Sequence, residues 1–338
     1  MNDGYRRRVE PTEIVQILAG CGIGADEVTE IAELSEGTFN TAYRVRRSSG
    51  ADLVLKIAPR PGTPILGYER DLMHAEVEFY REAALIGSVP TPVVAYADFS
   101  RTVTDSDVLL MSECPGESWQ SRRDQLGRTD QLRLRADLGR FVAALHQITG
   151  TGFGYRRGPR SPLARSWRDA VEGMFGALLV DAERFGVRLP VPTGELADLV
   201  SAQAGLLDEV TTPALVHFDL WNGNILVAEV DGRPEIGGLI DGERAFWGDP
   251  VADFASLALF GDIEADESFL MGYREAGGVV VFDDRTRRRL ALYRCYLYLI
   301  MMVESAPRGY EAAERAWLVQ NVEPCLRAEL GTLTGRQR

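Results

Sequence analysis

Lysine is almost absent from this sequence of 338 residues. The 37 lysine and arginine residues include a single lysine, Lys56, so the other 36 are arginine. Lysine is normally one of the commoner residues. A position that keeps lysine where every other basic position has arginine is expected to need a property that arginine lacks. That property is a compact point charge on a flexible stem, which suits a phosphate oxygen.

Cysteine is scarce, and long apolar runs are missing. The four cysteines form no CxxC or Cys/His spacing, which disfavours a zinc site and favours free thiols in a reducing compartment. The apolar run from Leu290 to Val303 is broken by Arg294 and is too short to span a bilayer. The start, MNDGYRRRVE, lacks the apolar segment of a secretory signal. We therefore expect a cytoplasmic protein without a membrane partner.

Positive charge is also in deficit. The formal net charge is −13, so a nucleic-acid partner is not expected, because neutralising phosphates requires a basic surface. An acidic protein can bind cationic ligands, although the charge also simply favours solubility.

Hydrophobic periodicity divides the chain into a strand-rich first part and a helix-rich remainder. Helices are predicted over 12–18 and 68–86, and strands near 28–34, 41–46, 52–58, 93–99 and 108–113. Longer helices follow at 129–148 and 167–185, with short strands around 214–228 and 235–241. This order favours an α+β protein over a βαβ alternation. We expect a small N-terminal antiparallel-sheet lobe (1–110), a hinge (111–117) and a larger, mainly helical C-terminal lobe (118–338).

The single lysine lies on an apolar strand, LVLKIAP, and needs a counter-charge there. The helix that follows offers Glu69 and Glu76 beside its apolar stripe of Met73, Val77, Tyr80 and Ala84. Glu76 is mid-helix and is the predicted partner, because a Lys–Glu pair between a strand and the next helix is how kinases hold nucleotide phosphates. A solvent-facing lysine and an intrahelical surface pair for Glu76 are the alternatives.

Two further motifs follow in the C-terminal part. The stretch LVHFDLWNGNILV contains H-x-D-x-x-x-x-N between apolar strands, the spacing of a kinase catalytic loop. It predicts Asp219 as the base that accepts a hydroxyl proton, Asn224 as a magnesium ligand and His217 as a residue that orients the loop. Asp241 ends the next apolar strand and is the predicted second magnesium ligand.

With these motifs the chain resembles the aminoglycoside phosphotransferase family, small-molecule kinases with a two-lobed, protein-kinase-like fold. The matching motifs run from about residue 30 to 305 and include LLMSECPGE, LHQITGTGFG, HFDLWNGN, IDGERAFWGDPVADFA and YREAGG. The resemblance implies ATP, with GTP as an alternative, and Mg²⁺ as cofactors. It implies that Lys56 holds the phosphates, that the backbone of Ser112, Glu113 and Cys114 binds adenine, and that Ser35, Gly37 and Thr38 belong to the phosphate-covering loop.

The substrate is predicted to be a small molecule with a free hydroxyl. Protein substrates are disfavoured, because Phe218 replaces the arginine that protein kinases have between His and Asp, and no A-P-E follows Asp241. An aminoglycoside or related antibiotic is the leading prediction, and its amines would meet an acidic lip of Asp262, Glu264, Asp266 and Glu267, which could equally be a solvated loop.

Other acceptors remain open. Trp221-Asn222 replaces the usual His-Pro of the family's loop, and "DLWxGN" also resembles fructosamine kinases. Neutral acceptors would use aromatics such as Trp221, Phe246 and Trp247. The alternatives are therefore a macrolide, nucleoside-antibiotic or fructosamine kinase, and a pseudokinase that binds nucleotide without transfer. Whether the protein is a monomer or a dimer is left open. His146, Asp249 and Asp253 are interpreted as structural residues that pack, cap a helix and brace the loop.

Overall fold

The N-terminal part of the chain forms an antiparallel sheet with one helix on each side. The computed structural model describes residues 7, 9–34, 39–156, 158 and 162–335. Within these ranges the sheet has five strands in the order β1-β2-β3-β5-β4. The elements are α1 (Pro11–Gly20), β1 (Val28–Leu34), β2 (Thr41–Arg47), β3 (Leu53–Ile57), α2 (Leu72–Ile86), β4 (Val94–Asp98) and β5 (Val108–Ser112).

The sheet separates two apolar cores, and β3 is its central strand. Leu53, Leu55 and Ile57 point to one face, where they are buried in a cluster with residues of α1. Lys56 points to the opposite face, because side chains alternate along a strand. Its register partners are Ala42 on β2 and Leu109 on β5. The lysine is therefore in the middle of the sheet, on the face that α2 covers.

Helix α2 begins later than the periodicity predicts. Residues Gly67–Glu69 form a separate 3₁₀ turn, and Asp71 has a left-handed conformation (φ 62°) that breaks the helical path before Leu72. Glu69 is therefore not on α2; its carboxylate accepts the Leu66 N–H at 2.8 Å and is buried. Near the other end of the helix, Ala83 is buried, whereas the predicted inward residue Ala84 is exposed. Glu76 is fully buried, together with the predicted inward residues Met73, Val77 and Tyr80.

The C-terminal part is mainly helical. Its helices are α3 (Trp119–Arg122), α4 (Arg128–His146), α5 (Trp167–Arg184), α6 (Thr193–Ser201), α7 (Ala204–Leu207), α8 (Asp253–Leu257), α9 (Glu267–Glu275), α10 (Asp284–Val303) and α11 (Ala312–Thr334). The apolar run 290–303 is the inner part of α10, and most of it is buried. In the part of the chain that the structure describes, none of the helices is long and apolar enough to cross a membrane.

Short strands hold the two C-terminal motifs. They are β6 (Glu117–Ser118), β7 (Ala214–Val216), β8 (Ile225–Val230), β9 (Arg233–Leu239) and β10 (Phe246–Gly248). Strand β8 pairs with β6 and β9, and β7 pairs with β10. The loop 217–224 therefore connects two anchored strands, and Asp241 follows β9 beside it. The α+β class and the division into a sheet-containing N-terminal lobe and a helical remainder are as predicted.

Candidate active site

The loop between β7 and β8 is fixed by hydrogen bonds from its own residues. The His217 ring donates from Nε2 to the Ile240 carbonyl (3.0 Å), and Nδ1 accepts the Asp219 N–H (3.3 Å). These two contacts describe a neutral imidazole that orients the loop. The Asn224 side-chain Nδ2 donates to the Asp219 backbone carbonyl (2.9 Å), and the Asn224 backbone carbonyl accepts the Ile240 N–H (3.0 Å). The loop is thus tied to the strand end that carries Asp241.

Two residues of the segment 249–256 support the loop from behind. Asp253 is fully buried and accepts the N–H groups of His217 (3.2 Å) and Phe218 (2.6 Å). The Ser256 hydroxyl accepts the Leu220 N–H (3.0 Å). Phe218 has φ 64°, a conformation that costs a bulky residue about 1–3 kcal/mol. The buried carboxylate and the packed Phe218 ring hold the chain in this conformation, which turns Asp219 toward the site.

The interpretations of His146, Asp249 and Asp253 as structural residues agree with their contacts. His146 is buried and bonds Asp253 (2.9 Å) and the Tyr273 hydroxyl (2.9 Å). Asp249 accepts the Val251 N–H and caps the short turn Pro250–Ala252.

Asp219, the predicted base, keeps 20% of its side chain exposed. Burial raises the pKa of Asp219, while the neighbouring Arg244 acts in the opposite direction. Among the described residues, the cation beside it is the Arg244 guanidinium, whose Nε is 3.9 Å from Asp219 Oδ2. This distance permits charge attraction but is too long for a hydrogen bond. A carboxylate with a raised pKa and a free oxygen is suited to accept a hydroxyl proton near neutral pH.

Asn224 and Asp241 supply oxygen atoms of the kind that magnesium prefers. Because the Asn224 Nδ2 donates to a carbonyl, its Oδ1 is the atom left for a cation. Burial opposes the charge of Asp241, but Lys56 lowers the pKa of Asp241 below its ordinary value, so it is ionised. Among the described residues no group of three or more His, Cys, Asp or Glu is arranged to hold a metal. A two-residue set fits Mg²⁺, which takes its remaining ligands from phosphates and water.

Lys56 links β3 to the carboxylates of Glu76 and Asp241. Its Nζ contacts Glu76 Oε1 at 2.6 Å and also contacts Asp241 Oδ1. The Tyr80 hydroxyl donates to the same Glu76 oxygen (3.0 Å). Burial disfavours the charge of Lys56, but Asp241 and Glu76 outweigh it and hold the pKa of Lys56 well above its ordinary value. The ammonium is therefore charged and is fixed from two sides.

The residues predicted to bind the nucleotide base lie at the end of β5. The Ser112 N–H bonds the Val93 carbonyl and the Glu113 N–H bonds the Asp52 carbonyl, so both serve the sheet. In the chain as described, the Cys114 N–H has no hydrogen-bond partner. Ser35, Gly37 and Thr38 lie outside the described residues. The adenine-binding, phosphate-loop and domain-boundary assignments stay predictions.

The predicted acidic lip has other contacts. Asp262 accepts the Glu264 N–H (2.9 Å), Asp266 caps α9 and pairs with Arg135 (2.6 Å), and Glu264 pairs with Arg287 (2.7 Å). Of the four carboxylates proposed for a cationic substrate, three thus contribute to local structure, and Glu267 is exposed. Their substrate role stays a prediction.

The three aromatic residues considered for neutral acceptors differ in exposure. Phe246 and Trp247 are buried, and the ring of Phe246 packs against Trp167 at 5.6 Å. Trp221 is 39% exposed on the catalytic loop. Trp221 is therefore the one of these three that a ligand can reach directly.

Several polar residues at the site were not found from the sequence. Glu243 accepts a hydrogen bond at 2.9 Å from Asn40, the last residue of the stretch predicted to cover the phosphates. Burial raises the pKa of Glu243 to about 8, and Asp241 contributes in the same direction, although Lys56 opposes it. Arg244 pairs with Glu304 at the end of α10 (3.0 Å). The only sequence signal was the run DGER directly after the metal strand.

Comparison with known proteins identifies the family of the chain. A model of the phosphotransferase enzyme family matches residues 30–293. A curated relative named Probable ketoamine kinase, from Synechocystis, is 32% identical over 200 residues, which cover 56% of this chain and 61% of that protein. The match therefore spans less than two thirds of the relative's length.

Two solved structures are similar over nearly their whole length. One from Thermobifida fusca, assigned as a fructosamine-3-kinase, has a TM-score of 0.61 and 24% identity, covering 89% of this chain and 95% of that one. Aminoglycoside phosphotransferase APH(4)-Ia, in complex with AMP-PNP and hygromycin B, has a TM-score of 0.60 and 20% identity, covering 94% and 98%. At these identities they establish the protein-kinase-like fold.

The chain belongs to the phosphotransferase enzyme family, since the family model covers most of its length. The family prediction made from the motifs is confirmed.

Proposed function

We propose that this phosphotransferase is an ATP- and Mg²⁺-dependent kinase that phosphorylates a hydroxyl of a small, amine-bearing carbohydrate. The observation that carries the proposal is the convergence of five predicted residues. Lys56 contacts Glu76 and Asp241, and Asn224 bonds the Asp219 carbonyl and the Ile240 N–H, so it ties the catalytic loop to the strand end that carries Asp241. These are the groups that phosphoryl transfer needs: a phosphate-binding cation, metal ligands and a base.

Each residue has a distinct role in the proposed reaction. Asp219 accepts the proton of the acceptor hydroxyl as its oxygen bonds to the terminal phosphorus of ATP and the bond to ADP, the leaving group, breaks. Lys56, held by Glu76, orients the phosphates, and Asn224 and Asp241 would hold Mg²⁺. When bound, the metal neutralises the charge of the phosphate oxygens. His217 and Asp253 fix the loop, so Asp219 does not have to be reoriented when substrate binds.

Two kinds of acceptor, ketoamines and aminoglycosides, fit the description of a small, amine-bearing carbohydrate. Ketoamines are favoured by the curated relative's name and by the other contacts of the acidic lip, which leave fewer carboxylates for a polycationic ligand. Aminoglycosides are favoured by the structural similarity to a hygromycin B complex. The two candidates share a hydroxylated ring with a nearby amine.

The test is phosphate transfer from ATP to a panel of fructosyl-amines and aminoglycosides, measured as a mass gain of one phosphoryl group. Wild type is expected to phosphorylate members of one group, and Asp219→Asn to lose at least about 100-fold in kcat, the lower end of what a general base contributes. A wild type that binds ATP but modifies no member of the panel would favour a nucleotide-binding pseudokinase. A fully active Asp219→Asn would show that another group is the base.

A further inference from the structure

Behind the catalytic loop, a chain of buried charges links Asp219 to the N-terminal lobe. Arg244 Nη2 is 3.0 Å from Glu304 Oε2, and the same Glu304 oxygen is 3.1 Å from Arg308 Nη2. Arg308 Nη2 in turn is 2.7 Å from Glu69 Oε1. The charges therefore alternate in sign from Asp219 through Arg244, Glu304 and Arg308 to Glu69. The last four side chains are at most 10% exposed.

The position of Arg244 depends on a competition between two carboxylates. Glu304 holds the guanidinium by a hydrogen bond, whereas Asp219 is at 3.9 Å, beyond hydrogen-bonding distance. Arg308 contacts the same Glu304 oxygen as Arg244, and the Tyr310 hydroxyl donates to the other oxygen (3.4 Å). A buried guanidinium that lost Glu304 would turn to its other anionic neighbour, because an unpaired buried charge is unfavourable.

The position of Arg244 determines whether both oxygens of Asp219 are available to accept the substrate proton. An Asp219 oxygen that accepts a hydrogen bond from Arg244 has one acceptor site fewer for the substrate hydroxyl. At the observed distance Arg244 still attracts the carboxylate and so stabilises its charge, but it leaves the oxygen free. Glu69 anchors the other end, because it belongs to the turn that precedes α2.

We propose that Glu304 is a positioning residue of phosphoryl transfer, which keeps the Arg244 guanidinium beside Asp219 but outside hydrogen-bonding distance. Arg308 maintains this arrangement by holding Glu304 against Glu69. The proposal rests on the proposed function in that Asp219 is taken as the base.

The test uses Glu304→Gln, which preserves shape and removes the charge. We expect a crystal structure of this variant to show Arg244 within about 3 Å of an Asp219 oxygen. We also expect kcat for transfer to fall at least about 10-fold while the KM for ATP stays within about twofold, because the phosphate-binding groups are untouched. An Arg244 that remains about 3.9 Å from Asp219, or a wild-type kcat, would overturn the proposal. The structural readout is independent of the acceptor and of the proposed function.

The matched control is Glu329→Gln. It removes a largely buried pair with Arg294 that joins α10 to α11, but it does not contact the site. Its kcat is expected to be that of wild type.

A second comparison covers the case in which Glu304→Gln does not fold. Arg244→Met is compared with the double variant Arg244→Met/Glu304→Gln, which loses one charge of each sign. Because Glu304 acts through Arg244, the double variant should have the kcat of Arg244→Met within about twofold. A further 10-fold loss in the double variant would show that Glu304 acts by another route and would refute the proposal.

Discussion

Replacing the single lysine with arginine separates charge from geometry at the nucleotide site. Lys56 Nζ is 2.6 Å from Glu76 Oε1 and also contacts Asp241, in a site where the lysine is 7% exposed. In Lys56→Arg the guanidinium carbon takes the place of Nζ, and its nitrogens extend about one bond, ~1.4 Å, further. The positive charge remains, so neither Glu76 nor Asp241 is left unpaired.

The expected magnitude follows from that displacement. A misplacement of ~1 Å at a reacting centre costs about 100-fold in rate, which corresponds to about 2.7 kcal/mol. Fitting the larger group costs about 1–3 kcal/mol of folding stability. Lys56→Met, in contrast, leaves the buried Glu76 without its cation and is expected to cost about 3–5 kcal/mol. Lys56→Arg should therefore fold and lose transfer, whereas Lys56→Met should be compromised in both.

The assay is ADP release coupled to NADH oxidation, with urea unfolding as the stability measurement and calorimetric titration for nucleotide affinity. The control is Arg46→Lys, which exchanges the same two residue types on the half-exposed surface of β2. It should leave kcat unchanged. A Lys56→Arg enzyme with a kcat within about threefold of wild type would refute the reasoning that this position requires lysine.

Two further predictions concern buried carboxylates near the site. Because Glu243 has a pKa of about 8 in the folded protein against 4.5 ordinarily, the metal-free wild type should lose stability relative to Glu243→Gln as pH rises from about 4.5 to about 8. Urea unfolding in EDTA measures this, and a pH-independent difference would contradict it. Asp253→Asn replaces the carboxylate that accepts both the His217 and Phe218 N–H groups, so it should cost about 1–3 kcal/mol of stability and lower kcat. The exposed helix cap Asp283→Asn is the control, and equal effects of the two substitutions would contradict the loop-supporting role.

Much of the fold could be predicted because strands and helices follow the periodicity of apolar residues in short segments of the sequence. The strands near 28–34, 41–46 and 108–113 occur within one residue of their predicted ends, since alternation and turn residues are properties of short segments. Helix α2 was predicted to begin at Tyr68 because the apolar period continues through the break. The left-handed Asp71 interrupts the helix where Glu69 is drawn to Leu66 and Arg308, and no local pattern encodes that.

The candidate site could also be predicted only in part. The sequence by itself determined the residue types that chemistry requires: a lone lysine on a strand, H-x-D-x-x-x-x-N between strands, and a carboxylate at a strand end. It also favoured Glu76 as the partner of Lys56, since one helical face and one strand face restrict the choices.

Only the tertiary structure decided which polar and charged groups meet across long separations. Arg308 and Glu69 are 239 residues apart, and Asn40 and Glu243 are 203 apart. Such partners are chosen by burial, because a charge removed from water must find an opposite charge wherever the fold brings one. The same reason explains why the acidic residues 262–266 pair with arginines or accept N–H groups at helix ends. It also explains why Arg244 lies between the predicted base and Glu304.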